Sequence, residues 1–434
     1  MREMPELAKR ALVYTTTFSI LGPIFIFIWM GNAHERITTK ITFDKEIVRI
    51  FARSCLSCHH PGGIAPMPLT TYAEARPWAK AIKEEVVERR MPPWHAVPGY
   101  GEFANDPSLS SRDLDLITAW VDGGSPKGDD KDLPPIPDFE TEWPLGKPDL
   151  VLTPSGAHSV RAEGEDEYRC FSIPAGSTVD RWVKAVDLRP GDRSVVHHAF
   201  LWLDKSGRAE QLEAEDRIPG YDCFGGPRFV PSGNLGGWVP GQRPIALPPG
   251  IATLLPAGST LVLQVHYHNS GIETRDLTKL GIYFSREPVK RRLRSLAIVN
   301  TKFEIPPGES LYRVKASVTF EKDAEAVSIL PHMHLLGKSM EVTALRPDGT
   351  REVLVWVRNY DFNWPTTYVL KRPVSLPRGT RLEVTAYYDN SGDNPRNPNS
   401  PPKPVRYGES ANSEMCAAYL MYTLKGERLT ANHH

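Results

Sequence analysis

Apolar positions recur at helical spacing along the first quarter of the chain and alternate along most of the rest. From Thr42, residues Ile47, Ile50 and Phe51 fall three and four apart, with Asp44 and Glu46 in the opening turn. That spacing predicts an amphipathic helix ending at the pair Cys55 and Cys58. A second helix is predicted from about Tyr72 to Arg89, with Trp78, Ile82 and Val86 on its apolar face. A third starts at Ser110, whose hydroxyl can cap with Asp113, carries Leu114, Ile117 and Val121 inward, and stops at Gly123-Gly124. Residues 125–148 lose periodicity and read as a linker. Behind them, alternating runs at 260–268, 310–320 and 381–388 lie between Pro-Gly turns, as the short strands of antiparallel sandwiches do.

The pattern predicts a multidomain chain: an all-α domain over 37–128, a linker over 129–147, and two all-β, jelly-roll-like antiparallel sandwiches over 148–289 and 290–434. The last division falls where residues 287–294 interrupt the alternation. A length of 434 residues is enough for about three separate cores. The forty prolines are nearly twice the average share and lie mostly behind residue 130, where they disfavour helix. Lys plus Arg and Asp plus Glu both total 52, and no long basic run occurs, which argues against nucleic acid as a partner.

The N-terminus carries Arg2, Lys9 and Arg10, then an uncharged stretch from Ala11 to Met30 and a small-residue site at Gly31-Asn32-Ala33. Residues 1–36 therefore read as a signal peptide or a membrane anchor. Either one exports the remainder, periplasmic or otherwise extracytoplasmic, released or held at the inner membrane by residues 11–30. Such a compartment permits disulfides.

Chemistry concentrates in two places. Cys55-Leu-Ser-Cys58-His59 has the spacing of covalent haem attachment: two thiols on one turn of chain and a following imidazole for the iron. No second cysteine pair completes a zinc site. For the opposite axial position the candidates are Met67, Met91, His60 and His95. His60 adjoins His59 and cannot reach across the ring. Met91, in Met91-Pro92-Pro93-Trp94, is preferred because two prolines hold an extended backbone, and Met67 is the reserve.

Far behind stand His197-His198, His266 with His268, and His332-Met333-His334. In a strand, residues two apart share a face, so His332 and His334 can bind one ion, and so can His266 and His268. Adjacent His197 and His198 face oppositely in a regular strand and reach one metal only at a twist or bulge. Imidazoles without neighbouring Cys or carboxylate, joined by a thioether, suit copper better than zinc.

Two resemblances follow. Cys55-x-x-Cys58-His59, Pro61-Gly62-Gly63, Met91-Pro92-Pro93-Trp94 and 119–124 resemble a small bacterial cytochrome c domain over about residues 38–128. Residues 195–198, 263–267, 332–337 and 413–416 are similar, in order, to the copper type II, ascorbate-dependent monooxygenase family, the peptidylglycine α-hydroxylating and dopamine β-monooxygenases. The second resemblance implies two copper ions. His197, His198 and His266 would hold an electron-entry copper; His332, His334 and Met415 would hold an oxygen-activating one. His268 is a weaker candidate, Gln264 matches a glutamine near the first site, and Tyr419 matches a tyrosine of the substrate pocket.

The same resemblance implies a disulfide between Cys170 and Cys223. Cys416 matches a bridged position but lacks a partner near Tyr387, which leaves a buried free thiol. Where the peptide hydroxylase has a carboxylate-binding arginine, two residues before its His-x-His pair, this chain has Leu330, which argues against a glycine-extended peptide as substrate.

The function implied is hydroxylation of a C–H bond of a small organic substrate by dioxygen. Electrons would come from ascorbate or a periplasmic redox protein, here through one covalently bound haem c. The rival reading is a haem–copper electron carrier that does not hydroxylate.

Overall fold

A computed structural model describes residues 37–427 and 429, apart from 64, 136–142, 241 and 243. The proposed leader, residues 1–36, lies outside the described residues. Among the described residues no helix is long and apolar enough to cross a membrane.

The helices form as the periodicity requires, with one difference. Residues Phe43–Ile47 make a π-turn that runs into α1 (Val48–Ser54), and Cys55 closes that helix. The predicted second helix is broken. A short turn at Tyr72–Ala75 passes through a 3-10 segment at Arg76–Trp78 before α2 (Ala79–Val87) begins. Pro77 has no N–H to continue the ladder, and the break turns Trp78 outward, 44% exposed rather than on the core face. The third helix, α3 (Ser111–Asp122), has the reciprocal capping box between Ser110 and Asp113 and ends at Gly123. Phe43, Phe51, Ile82, Ile117 and Trp120 close this unit's core. The Trp120 indole donates to the Pro126 carbonyl.

From Leu150 onward the chain is strand and turn. The first sandwich has one sheet in the order Leu150–Leu152, Lys279–Phe284, Arg181–Arg189, Ile251–Leu255, Arg291–Arg292. Its other sheet runs Tyr221–Asp222, β1 (Glu167–Pro174), β3 (Thr260–Tyr267), β2 (Val196–Asp204), Gly233–Trp238. All of β3 is buried. Leu261, Leu263 and Val265 enter the inter-sheet core, while Val262 packs under the segment carrying Ala209, Leu212 and Cys223. Cys170 of β1 and Cys223 are joined as a disulfide across 53 residues. Cys416 is a buried free thiol, and both outcomes agree with the pairing that the resemblance implied.

The second sandwich stacks the sheet β4 (Arg294–Asn300), β7 (Cys416–Leu424), β5 (Ala324–His332), β6 (Tyr368–Leu376) on the sheet Tyr312–Thr319, Arg381–Tyr388, Gly337–Leu345, Arg351–Val357. Val342, Val355, Val384 and Leu420 lie in its core. Ile251, Leu293, Val327, Leu247 and Met421 form a smaller apolar cluster that joins strands of both sandwiches.

The chain between α2 and α3 does not hang free. Ala96 bridges to Val357 and Phe103 to Leu370. The amides of Val97 and Ala104 donate to Trp356 and Val369 carbonyls at 2.8 Å each, and Trp94 packs edge-on against Phe103 and Tyr368. The helical unit is thereby sewn to the second sandwich.

Removing the disulfide with Cys170→Ala and Cys223→Ala frees a 53-residue loop in the unfolded chain. The double variant should lose about 2–4 kcal/mol of unfolding free energy, read as a lower urea midpoint.

Candidate metal centres

Strand β2 delivers both members of the His197-His198 pair to one point because it is irregular there. Its register against β3 shifts between Val196 and His198, so His197 occupies a bulge. His198 then lies directly opposite His266 of β3. The Nδ1 atoms of His197 and His198 are 3.1 Å apart, and His266 Nδ1 is 3.4 Å from His198 Nδ1. The three rings together offer ligand atoms within 4.8 Å of one another. No other such cluster of three His, Cys, Asp or Glu occurs among the described residues.

The ring of His266 is fixed from two sides. Its Nε2 bonds Asp166 Oδ2 at 2.8 Å, and Tyr168 stacks on it at 4.2 Å with the planes 8° apart. With Nε2 engaged, Nδ1 is the nitrogen turned to the cluster. Hydrogen bonding by His266 holds the Asp166 carboxyl below the usual carboxylate range. His268 bonds the other oxygen of Asp166 at 2.9 Å and is not in the cluster, so its place is behind a ligand. Gln264 lies on the buried outer face of β3 and donates to the Cys223 carbonyl at 2.8 Å, a strut for that face.

The second set forms where β5 ends. His332 is the last residue of β5, while His334 already lies in the turn beyond it. Strand alternation therefore does not place His334; a buried carboxylate does. Glu414, fully buried, accepts from the amides of His334 at 2.9 Å, Leu336 at 2.6 Å and Met415 at 3.2 Å. Burial pushes its carboxyl up to about 8 against the pull of these amides. The Tyr360 hydroxyl donates to the Met333 carbonyl and accepts from its amide, and Tyr388 donates to the Met415 carbonyl at 2.7 Å.

The His332 and His334 rings come to 5.2 Å between centroids, and His334 Nδ1 bonds the Ser413 carbonyl at 3.0 Å. Met415, buried, stands two residues before Ala417, the register partner of His332. Leu330 pairs with Tyr419, whose ring lies 6.2 Å from that of His332. Leu330, His332 and Tyr419 thus share one face of the sheet.

The two sets face each other across one aromatic ring. Phe362 lies 6.0 Å from His197 and 5.5 Å from His334, centroid to centroid. Burial with few counter-charges lowers the imidazoles, His197 to about 4 and His332 to about 3, with His198 well below its usual value. At neutral pH these rings are unprotonated, the form that ligates metal.

At the front of the chain, Cys55 and Cys58 are not joined in a disulfide. His59 Nδ1 bonds the Met67 carbonyl at 3.0 Å, which leaves Nε2 available. That carbonyl holds Met67 on the His59 side, whereas Met91 is 37% exposed at the end of the α2 turn. His95 instead sits where Asp361 and Arg396 act on it, against the second sandwich. The turn at Gly63 is tight: a Cβ there would lie 2.2 Å from the Cys58 carbonyl oxygen. His60 to Gly63 and residues 190–194 line an open cavity of about 530 Å³. The chain leaving that cavity enters β2 at Val196.

Residues 293–432 match the family model of the copper type II ascorbate-dependent monooxygenase C-terminal domain. DBH-like monooxygenase protein 1 of Homo sapiens is 23% identical over 285 residues, 59% of this chain and 44% of its own length. The Mus musculus protein of that name is 25% identical, with the same coverage. The chain thus spans less than half the length of these relatives, and the matches support kinship with that monooxygenase family. Among solved structures, the major capsid protein P2 of bacteriophage PM2 aligns at TM-score 0.30, with 11% identity over 66% of this chain and 99% of that one. PNGase F from Flavobacterium meningosepticum aligns at 0.26, with 9% identity over 65% and 97%. Both are too distant to inform the site.

Asp166, Glu414, Tyr360 and Phe362 escaped the sequence reading. Only Glu414 carried a signal, as the charged residue within the 413–416 segment that bears the resemblance.

Asp166→Ala should weaken copper binding at the three-histidine cluster by about 10–100-fold and spare the other set. Titration against a chromophoric chelator reads both. Because the folded imidazoles sit below the unfolded value of about 6.5, the metal-free protein keeps their contribution to stability above that pH. It should lose it as pH falls toward about 4 for His197 and about 3 for His332. Urea midpoints of the metal-free protein that stay flat from pH 7.5 to 4.5 would contradict this.

Proposed function

We propose that this chain is a copper-dependent monooxygenase that hydroxylates a C–H bond of a small organic molecule, with electrons supplied through a fused c-type haem. The observation that carries this reading is the pair of unlike imidazole sets facing each other across Phe362. A carrier needs one such site; a two-electron oxygenation uses two. The balance is one C–H bond, one dioxygen, two electrons and two protons, giving one alcohol and one water.

His197, His198 and His266 would hold the electron-entry copper, and His332, His334 and Met415 the oxygen-activating copper. Copper bound there supplies one-electron redox chemistry and dioxygen activation. Neutral imidazoles fit that role, and a thioether at Met415 favours the cuprous state. Glu414 keeps His334 and Met415 on one rigid support, and Tyr419 borders the reacting side of His332.

For the haem, Cys55 and Cys58 would form the thioethers, His59 Nε2 the proximal bond and Met91 the distal one. Two cysteines outside any disulfide, beside an imidazole already oriented through Nδ1, fit covalent attachment. The haem would supply single electrons from ascorbate or a periplasmic redox partner. The cavity shared between His60–Gly63 and residues 190–194 supports residues 190–194 as the approach to His197. The Cys170–Cys223 disulfide supports an extracytoplasmic location, with residues 11–30 as leader or anchor.

The test combines two measurements on haem- and copper-loaded protein. Met415→Ala should lower oxygen consumption by at least 100-fold while the haem spectrum stays unchanged. In stopped flow, reduced haem should reoxidise under oxygen in wild type and stall in His198→Ala. Unchanged oxygen consumption in Met415→Ala removes the hydroxylase reading; haem that reoxidises equally fast without the copper ligands removes the haem supply.

A further inference from the structure

A cavity of about 430 Å³ opens between the two sandwiches, within the usual size for an organic ligand. Its walls touch both histidine sets. Phe200 lines it from the first sandwich, 5.3 Å from the His198 ring. Leu330 and Tyr419 line it from the second, on the face that also carries His332. Trp202 and Met421 add further apolar surface. A molecule held here would present one end to the His332 side.

The lining is selective by what it lacks. Among the described lining residues none is Asp, Glu, Arg or His, and Lys184 alone carries a formal charge. An ammonium moved from water into this cavity would lose its hydration and meet no carboxylate. Hydroxyls at Ser295, Ser328, Thr367 and Tyr419 and side-chain amides at Asn234 and Gln242 are present to orient an uncharged polar group.

Resting on the hydroxylase reading, we propose that the cavity between the sandwiches binds a predominantly apolar organic molecule and rejects amines. The substrate class is a hydrophobe without an ammonium group, carrying at most one or two hydroxyl or carbonyl groups, with an aliphatic or benzylic C–H toward His332.

The experiment is binding to copper-loaded full-length protein, by calorimetry and by quenching of tryptophan fluorescence. Two probes of one shape serve: 4-phenyl-1-butanol and 4-phenylbutylamine. The alcohol should bind at least ten times more tightly than the amine. Leu330→Glu should lower alcohol affinity at least tenfold and bring in the amine; Leu330→Gln, a milder change if the glutamate variant does not fold, should lower alcohol affinity without bringing in the amine.

The proposal is overturned if the amine binds as tightly as the alcohol, if the alcohol does not saturate, or if neither Leu330 variant changes alcohol affinity. These are binding constants, so they stand or fall apart from the oxygen-consumption test of the hydroxylase reading.

Discussion

A buried carboxyl group held by peptide amides organises the second histidine set. Glu414 is fully enclosed and accepts from amides of the turn after β5 and of the entry to β7. Burial lifts it to about 8, so at neutral pH it sheds most of its charge. A buried polar group left unpaired still costs about 1–3 kcal/mol, so the position is tolerable only when both segments are in place. The geometry of His334 and Met415 is therefore coupled to a single folding decision.

The first set rests on a different device. A bulge at His197 breaks the alternation that would otherwise send adjacent imidazoles to opposite faces. Asp166, from the turn before β1, then fixes the third ring from outside. Both sets owe their convergence to local departures from regular strand. Regular strand supplies what surrounds them: the β2–β3 register that sets His198 opposite His266, and the β5–β7 register that sets Leu330 opposite Tyr419.

This explains what could be read from the residues and what could not. Period-two runs at 260–268 and 381–388 are strands because alternation reports burial directly. The capped start of α3 and its glycine stop were equally plain, since both signals are local. Pro77 is the local signal that interrupts the apolar spacing from Tyr72 to Arg89 and leaves Trp78 on the exposed side. The bulge at His197 left no trace in the sequence, because the irregularity is defined only against β3. The turn position of His334 and the reach of Asp166 across 100 residues to His266 belong to tertiary structure in the same way. The histidines themselves were legible as types; the carboxylates that aim them were not.

The strip of chain between α2 and α3 runs along the second sandwich as if it were one more edge strand, bonded through the amides of Val97 and Ala104 and through Asn105. A redox group on the helical unit would then be no swinging carrier on a tether. Its separation from the imidazoles would be a constant of the architecture, and charge would pass by tunnelling through fixed matter, at a first-order rate indifferent to solvent viscosity.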